Sequence, residues 1–186
     1  MKFTDRFLQR WRIAKARPFI APGSQILDIG SVDGALFQQL KALGERSLGI
    51  DPTLKANISV GGMPLVAGYF PQDMPAVEPF DVITLLAVLE HFPPSEYERL
   101  RDGCIKFLKP GGRLIITVPS AAVDWILAVL KFSRLIDGMS LEEHHGYRVE
   151  LTQAIFPARS FRLLRREKFQ MGLNNLFVFE HICDLP

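Results

Sequence analysis

Short apolar segments alternate with helical segments along most of the chain. The apolar segments are rich in Ile, Leu and Val and end at Gly, Pro or a polar residue, which is typical of buried strands; they are 24–30, 47–51, 65–69, 80–86 and 113–118. Apolar residues at helical spacing follow in 33–43 and 95–108. Strands that alternate with helices form a parallel sheet that is covered on both faces. We therefore predict an α/β fold in one domain.

The two ends of the chain do not continue the alternation of strands and helices predicted for its centre. Residues 1–22 predict an amphipathic helix, and an unusually apolar helix is predicted at 121–136. The last part, 148–186, predicts a short helix followed by a β-hairpin. Residues 53–63 contain Gly and Pro without a clear period, so we predict a loop there.

The composition is that of an ordinary globular domain. The chain has 186 residues, of which 48% are hydrophobic and 23% charged, and this excludes a disordered or collagen-like chain. Its two cysteines, Cys104 and Cys183, are too few for a disulfide framework or a zinc site. No apolar segment is long enough to span a bilayer. The first residues lack the apolar core of a signal peptide, so we expect a cytoplasmic protein.

The charge is distributed unevenly. Residues 1–18 contain six Lys or Arg and one acid, a local net charge of +5, whereas the whole chain carries +2. A basic helix can contact nucleic acid, anionic lipid or an anionic substrate. No basic stripe is interleaved with aromatic residues in the way that stacks bases, so we expect no nucleic-acid partner. We favour a solvated amphipathic helix that makes at most a weak surface contact.

Two acids and two glycines stand at the ends of the first two predicted strands. Asp28 and Gly30 end the first strand, Gly34 opens the following helix, and Asp51 ends the second strand. In an open parallel sheet, ligands bind beyond the carboxyl ends of the strands. Glycine lets a ligand approach the backbone, and an acid about 20 residues after the glycine turn commonly binds ribose hydroxyls. The pattern therefore predicts a nucleotide-type ligand at this edge.

Four segments resemble, in order, the motifs of class I S-adenosylmethionine-dependent methyltransferases. Residues 26–34 resemble the family's D-x-G-x-G-x-G motif, and 49–52 its second motif. Residues 80–91 are similar to its F-D-x-[IV]-x-x-x-x-V-L-E-H segment, and 108–119 to its L-K-P-G-G strand. The similarity is closest to the members that act on small molecules. It implies a Rossmann-like, mostly parallel, doubly wound sheet of about seven strands with an antiparallel closing hairpin.

The resemblance also implies a cofactor, S-adenosylmethionine, and a site for it. The first motif would hold the methionine part, Asp51 the ribose, an aromatic residue the adenine, and the backbone near Leu86 the amino-acid end. The implied cofactor-binding residues are Asp28, Gly30, Ser31, Gly34, Asp51, Pro52, Tyr69, Phe70 and Leu86. In this interpretation 24–119 is the cofactor-binding core and 120–147 is a helical cap over the acceptor.

The activity implied by the resemblance is methyl transfer to an oxygen, nitrogen or carbon of a small-molecule acceptor by in-line displacement. Two departures keep an alternative open: Val32 replaces the middle glycine of the first motif, and residues 53–63 lack a clear helix. The alternative is a methyltransferase-like binding or scaffold module without catalysis. A nicotinamide-dependent oxidoreductase is disfavoured, because Gly30 and Gly34 do not follow the G-x-G-x-x-G order.

Three histidines are candidates for a general base. His91 follows the predicted strand 80–86, and His144 and His145 lie in the segment that would face the cofactor's methyl group. Because histidine titrates near neutral pH, each could take a proton from an acceptor. The other interpretation is that these histidines orient loops by hydrogen bonding or are exposed residues of loops. Adjacent histidines rarely point at one ion and no third ligand stands out, so we expect no metal.

Overall fold

One sheet of eight strands forms the centre of the molecule. The computed structural model describes residues 3–40, 42–120 and 147–182. The strands are β1 (Ile26–Ile29), β2 (Leu48–Asp51), β3 (Ile58–Val60), β4 (Met63–Ala67), β5 (Phe80–Leu86), β6 (Leu108–Pro119), β7 (Phe161–Phe169) and β8 (Asn174–His181). The α-helices are α1 (Phe3–Ala16), α2 (Ala35–Gln39), α3 (Tyr97–Phe107) and α4 (Leu151–Ile155). Short 3₁₀ turns are formed by Arg17–Phe19, Leu89–His91 and Pro94–Glu96.

The strand order of the sheet is β3-β4-β2-β1-β5-β6-β8-β7. Strands β4, β2, β1, β5 and β6 run parallel to one another. Strand β8 lies antiparallel between β6 and β7. From β1 the chain first builds the sheet towards β2 and β4, and then on the other side towards β5 and β6. The predicted fold, a mostly parallel doubly wound sheet with an antiparallel closing hairpin, is confirmed.

The additional strand lies where the sequence predicts only a loop. Within 53–63, β3 pairs antiparallel with β4, so that Val60 lies opposite Met63. Gly61 and Gly62 form the connection, with φ angles of +60° and +84°. Two successive residues with positive φ are the geometry of a type I′ hairpin turn. The glycine pair therefore makes a hairpin here, and the loop prediction is wrong for these residues.

Two apolar clusters cover the two faces of the sheet. Neighbouring residues of a strand point to opposite faces; in β8, Phe177 belongs to one cluster and Val178 to the other. Helices α3 and α4 contribute to the first cluster, and α1 and α2 to the second. Since β1, β2 and β5 are covered on both faces, their sequences are mostly apolar and do not alternate regularly between apolar and polar residues.

Helix α1 is fixed to the closing hairpin at two points. The Lys15 ammonium lies 2.5 Å from a carboxylate oxygen of Glu167 in β7. The Gln170 side-chain amide donates a hydrogen bond of 3.2 Å to the backbone carbonyl of Leu8. These contacts hold α1 against the sheet.

Among the described residues, no helix combines the length and the apolar character needed to cross a membrane. The predicted helix at 121–136 lies outside the described residues. The division of the chain at 1–22, 24–119, 120–147 and 148–186 and the cytoplasmic location stay predictions.

Candidate active site

The carboxyl ends of β1, β2 and β5 meet at one edge of the sheet. The chain leaves β1 and β5 in opposite directions, which makes this the switch point where open parallel sheets bind ligands. A cavity of about 820 Å³ opens there. Cavities that hold small molecules commonly measure about 300–1,000 Å³, so this one is large enough for a nucleotide-sized ligand.

The structure gathers most of the predicted cofactor-binding residues at this edge. Six of them line the cavity, namely Gly30, Asp51, Pro52, Tyr69, Phe70 and Leu86. Asp28 and Ser31 line a smaller recess that shares Gly30 and Leu86 with the cavity. Gly34 lines neither space and caps the start of α2.

Both glycines of the first motif are required by the backbone. Gly30 has φ +81°, and a Cβ atom there would lie 2.3 Å from a Cγ atom of Val88. Its N–H donates a hydrogen bond of 2.9 Å to the carbonyl of Ile50, which ties the turn to β2. Gly34 has φ +63°, and its Cβ atom would lie 2.8 Å from the Cβ of Val60 in β3. Any larger residue at either position would meet both a strained φ and a close neighbour.

Asp28 is a buried acid that forms no salt bridge with any residue in the described part of the chain. Its carboxyl group accepts a hydrogen bond of 2.6 Å from the hydroxyl of Thr84. Burial raises the pKa of Asp28 to about 7, and the Thr84 hydrogen bond only partly opposes this, while the charges of Asp33 and Asp51 add to it. A positively charged group beside Asp28 would favour its ionised form.

Asp51 connects the first motif to the end of β2. Its side chain is buried, and its Oδ2 accepts a hydrogen bond of 3.2 Å from the backbone N–H of Val32. Its Oδ1 accepts one of 2.7 Å from the N–H of Thr53 and another from the Thr53 hydroxyl. These bonds fix the carboxylate in the wall of the cavity, where it can accept further hydrogen bonds from a ligand.

Val32 fits its position without backbone strain. It does not adopt a positive φ, so the motif position does not demand a glycine in this chain. Its side chain is 48% exposed and forms part of the cavity wall. The valine therefore adds apolar surface to the cavity.

Two aromatic residues after β4 form another part of the wall. Tyr69 is 66% exposed, and its N–H donates a hydrogen bond of 2.7 Å to Asp73, which fixes the backbone. Phe70 is buried, with its ring 5.9 Å from that of Phe107 in α3. A flat ligand ring can stack on such a wall.

The segment that follows β5 also lines the cavity, and the sequence analysis missed most of it. Ala87 has φ +61°, a left-handed conformation that is uncommon outside glycine. Its N–H donates a hydrogen bond of 2.9 Å to the carbonyl of Thr117. Val88, Phe92 and other residues of this segment complete the wall. No glycine or period in the sequence marks this turn.

Of the three candidate histidines, His91 lies at the cavity. It ends the 3₁₀ turn after β5, is exposed and lines the cavity. His144 and His145 lie outside the described residues. Within the described ranges, no group of three His, Cys, Asp or Glu residues could hold a metal ion.

A family model described as "Methyltransferase domain" matches residues 2–167 of the chain. A curated relative, the ubiquinone biosynthesis O-methyltransferase of Pseudomonas fluorescens (strain SBW25), is 32% identical over 107 residues, which are 51% of this chain and 44% of the relative. That of Pseudomonas putida (strain W619) is 31% identical over 121 residues, 58% of this chain and 50% of the relative. The chain thus spans about half the length of the curated relatives it matches.

Solved structures share the fold over nearly the whole chain. The N-methyltransferase NodS from Bradyrhizobium japonicum WM9 superposes with a TM-score of 0.68 at 18% identity, covering 96% of this chain and 99% of NodS. At this identity the likeness shows the fold alone. The family model covers most of the chain, and the chain therefore belongs to the methyltransferase domain family, which confirms the predicted family and its cofactor, S-adenosylmethionine.

Proposed function

We propose that this protein transfers a methyl group from S-adenosylmethionine to a small-molecule acceptor. The observation that carries the proposal is the cavity at the ends of β1, β2 and β5, whose wall contains the fixed carboxylate of Asp51. The rest of the wall is mostly apolar and contains a few polar residues, as expected for a small-molecule site.

The residues present fit the cofactor. Asp51 would accept hydrogen bonds from the ribose hydroxyls, and Tyr69 and Phe70 would pack against the adenine. The backbone at Gly30 and Leu86 would hold the methionine part. The buried carboxyl of Asp28 lies beside this part of the site. It forms no salt bridge with the described residues, and the cofactor's ammonium would supply a cationic partner.

When bound, S-adenosylmethionine supplies a methyl group that its positively charged sulfur already activates. The contribution of the chain is to align the acceptor with that methyl group and to exclude water. The apolar side chains of Val32, Val88 and Phe92 line the space where an acceptor would lie. His91, at the cavity, is the described candidate for holding a proton taken from the acceptor, at a ring nitrogen. His144 and His145 remain candidates by sequence.

The acceptor atom is oxygen, nitrogen or carbon. The related proteins include an O-methyltransferase of ubiquinone biosynthesis and an N-methyltransferase. A further neighbour is a magnesium protoporphyrin IX methyltransferase with bound SAH, from Synechocystis PCC 6803 (TM-score 0.66, 16% identity, 97% of this chain and 88% of the neighbour). These names support a small molecule and cover more than one methylated atom.

The alternative, a binding module without catalysis, rests on Val32 and on residues 53–63. Val32 needs no positive φ, and β3 gives the second segment a defined strand. Neither feature now favours the alternative over the enzyme.

The first test is calorimetric titration with S-adenosylmethionine and with S-adenosylhomocysteine. We expect the wild-type protein to bind in the micromolar range, about −8 kcal/mol. Asp51→Asn keeps an acceptor for Thr53 but removes the charge, and a hydrogen bond to a charged group is worth about 1.5–3 kcal/mol, so binding should weaken about tenfold or more. Asp102→Asn is the matched control, because Asp102 lies on α3 and its side chain is 64% exposed.

Binding must be followed by turnover. Wild-type protein is incubated with S-adenosylmethionine and small hydroxylated, amino or lipid-like compounds, and S-adenosylhomocysteine release is measured. Equal affinity of wild type and Asp51→Asn would remove the ribose assignment. Binding without turnover on any compound would favour the module.

A further inference from the structure

The outer surface of α1 and the tip of the β7–β8 hairpin expose cationic and apolar side chains next to each other. We propose that this surface binds a membrane that contains anionic lipids, with the cations on lipid phosphates and the apolar side chains at the boundary of the acyl chains. The inference goes beyond the proposed methyl transfer, because the described wall of the cavity contains no residue of α1 or of the hairpin.

Three arginines form a stripe along α1 and the turn that follows it. Arg6 and Arg10 lie one helical turn apart on α1, and Arg17, in the 3₁₀ turn, continues the stripe at helical spacing. All three are exposed, and none forms a salt bridge with a described residue. Their charges are therefore available to an anionic partner, and each guanidinium group can offer two parallel N–H donors to a phosphate.

Exposed apolar side chains lie beside this stripe. Phe7 is 55% exposed, Leu8 is also exposed, and Met171 at the tip of the hairpin is 93% exposed. The tip lies against the helix, because the side chain of Gln170 donates its hydrogen bond of 3.2 Å to the backbone carbonyl of Leu8. Met171 therefore belongs to the same surface as Phe7 and Leu8. Single exposed apolar residues are ordinary, but a group of them beside unpaired cations indicates a contact surface.

A groove between α1 and β7 extends this surface. It has a volume of about 500 Å³, and its apolar lining is contributed by Trp11, Ala14, Pro18 and Phe19. The Trp11 ring lies edge-on to the Phe7 ring at 5.7 Å, so the groove continues the apolar group on α1. Lys15 and Arg165 share Glu167 as their ion-pair partner, which leaves this side of the groove with a net positive charge. The groove thus repeats the combination of apolar and cationic groups that suits a lipid.

This combination favours a bilayer over a nucleic acid. Both partners offer phosphates to arginines, but side chains such as Phe7 and Met171 gain free energy only where they leave water, as they do among acyl chains. Residues 1–18 carry a local net charge of +5, and each cation near an anionic leaflet strengthens binding. No helix in the described part of the chain is suited to cross a membrane, so the proposed contact is peripheral.

The test is co-sedimentation of the protein with phospholipid vesicles at about 0.1 M salt. Wild-type protein should bind vesicles of phosphatidylcholine with about 30% phosphatidylglycerol at least about tenfold more tightly than vesicles of phosphatidylcholine alone. Raising the salt to about 0.5 M should remove most of this preference, because salt screens the charges.

Two variants separate the cationic from the apolar contribution. Arg6→Gln combined with Arg10→Gln should weaken binding to the anionic vesicles about tenfold or more, since each arginine near an anionic surface contributes about fivefold. Met171→Gln should weaken the same binding about fivefold, because glutamine has a similar size but does not favour the boundary of the acyl chains.

The control variants change similar residues elsewhere on the molecule. Lys106→Gln combined with Arg148→Gln removes two exposed charges beside α3 and α4, which cover the other face of the sheet. Ile58→Gln removes an exposed apolar side chain from β3, at the opposite edge of the sheet from the hairpin. Both controls should bind the anionic vesicles as wild type does, and thermal unfolding checks the fold of every variant.

Three outcomes would overturn the inference. Wild-type protein that binds both kinds of vesicle equally, or neither, lacks the proposed preference for anionic lipids. Equal losses in the control variants would show that binding does not depend on this surface. Weaker binding after the arginine substitutions together with unchanged binding of Met171→Gln would indicate a general surface for polyanions, such as nucleic acid, instead of a membrane contact.

Discussion

Replacing Asp28 with asparagine should stabilise the ligand-free protein at alkaline pH. The pKa of Asp28 is raised from 3.8 to about 7 in the folded chain. Between these values the folded chain holds a proton that the unfolded chain has released. Stability therefore falls as the pH rises through this window, and above it both states are ionised and the folded state carries the full cost of a buried charge.

The size of the effect follows from the two pKa values. A tenfold change in proton affinity corresponds to about 1.4 kcal/mol, so the difference between 3.8 and about 7 gives about 4 kcal/mol at pH 8 as an upper limit. At pH 5 the destabilisation by Asp28 corresponds only to the interval between 3.8 and 5. The destabilisation at pH 8 should therefore exceed that at pH 5 by about 2–3 kcal/mol. Asparagine removes the charge but keeps an oxygen that can accept the Thr84 hydrogen bond.

The assay is urea unfolding followed by circular dichroism at pH 5 and pH 8. Asp28→Asn should raise the free energy of unfolding more at pH 8 than at pH 5. Asp81→Asn is a control for which we expect the opposite effect. Burial tends to raise the pKa of Asp81, but hydrogen bonds from Lys109 and Gln25 outweigh burial and lower the pKa. The ionised Asp81 therefore stabilises the fold at pH 8, and its replacement should lower the free energy of unfolding. A change for Asp28→Asn that is the same at both pH values would refute the reasoning.

Two further predictions concern the turn and the base. Gly30→Ala should lower the free energy of unfolding by about 2–4 kcal/mol, because it combines a strained φ with a clash against Val88. Gly111→Ala, at φ +75° with nothing within 4 Å, should lower the free energy of unfolding by about 1–2 kcal/mol. Urea unfolding measures both variants, and equal losses would contradict the clash with Val88. His91→Gln should reduce kcat and remove the acidic limb of the pH–rate profile if His91 takes the proton, and an acidic limb that persists would leave it only an orienting role.

The sheet could be predicted from the sequence because its centre is buried on both faces. The strand predicted at 80–86 has the same bounds as β5, and a mostly apolar run is the direct consequence of such burial. Helix α2 could not be predicted in the same way. The apolar period predicts a helix over 33–43, but the observed helix ends at Gln39 and Leu40 is extended. The Gly44 N–H instead bonds to the carbonyl of Ser24, so tertiary contacts end the helix early.

The residues of the candidate site could be predicted from the sequence only where they lie at the ends of strands. Asp28 and Asp51 end neighbouring parallel strands, so the topology alone brings them to one edge. Arg12, which also lines the recess beside the cavity, and Ala87 carry no such signal. In the sequence, Arg12 occupies a polar position of an amphipathic helix. Its place at the recess depends on how α1 packs on the sheet. Ala87 adopts a left-handed conformation, and no glycine in this turn indicates such a conformation in the sequence.

The raised pKa of Asp28 also predicts a proton linkage in cofactor binding. In the free protein at pH 6 the Asp28 carboxyl is mostly protonated. If the ammonium of bound S-adenosylmethionine lies beside this carboxyl, as proposed, it favours the ionised form of Asp28, and binding at pH 6 should release a proton. Calorimetric titrations at pH 6 in buffers with different ionisation enthalpies measure the number released, and we expect a value approaching one. At pH 8.5 Asp28 is already ionised and the release should vanish, as it should at pH 6 in Asp28→Asn. A wild-type protein that binds S-adenosylmethionine without proton release at pH 6 would show that the ammonium does not lie beside Asp28.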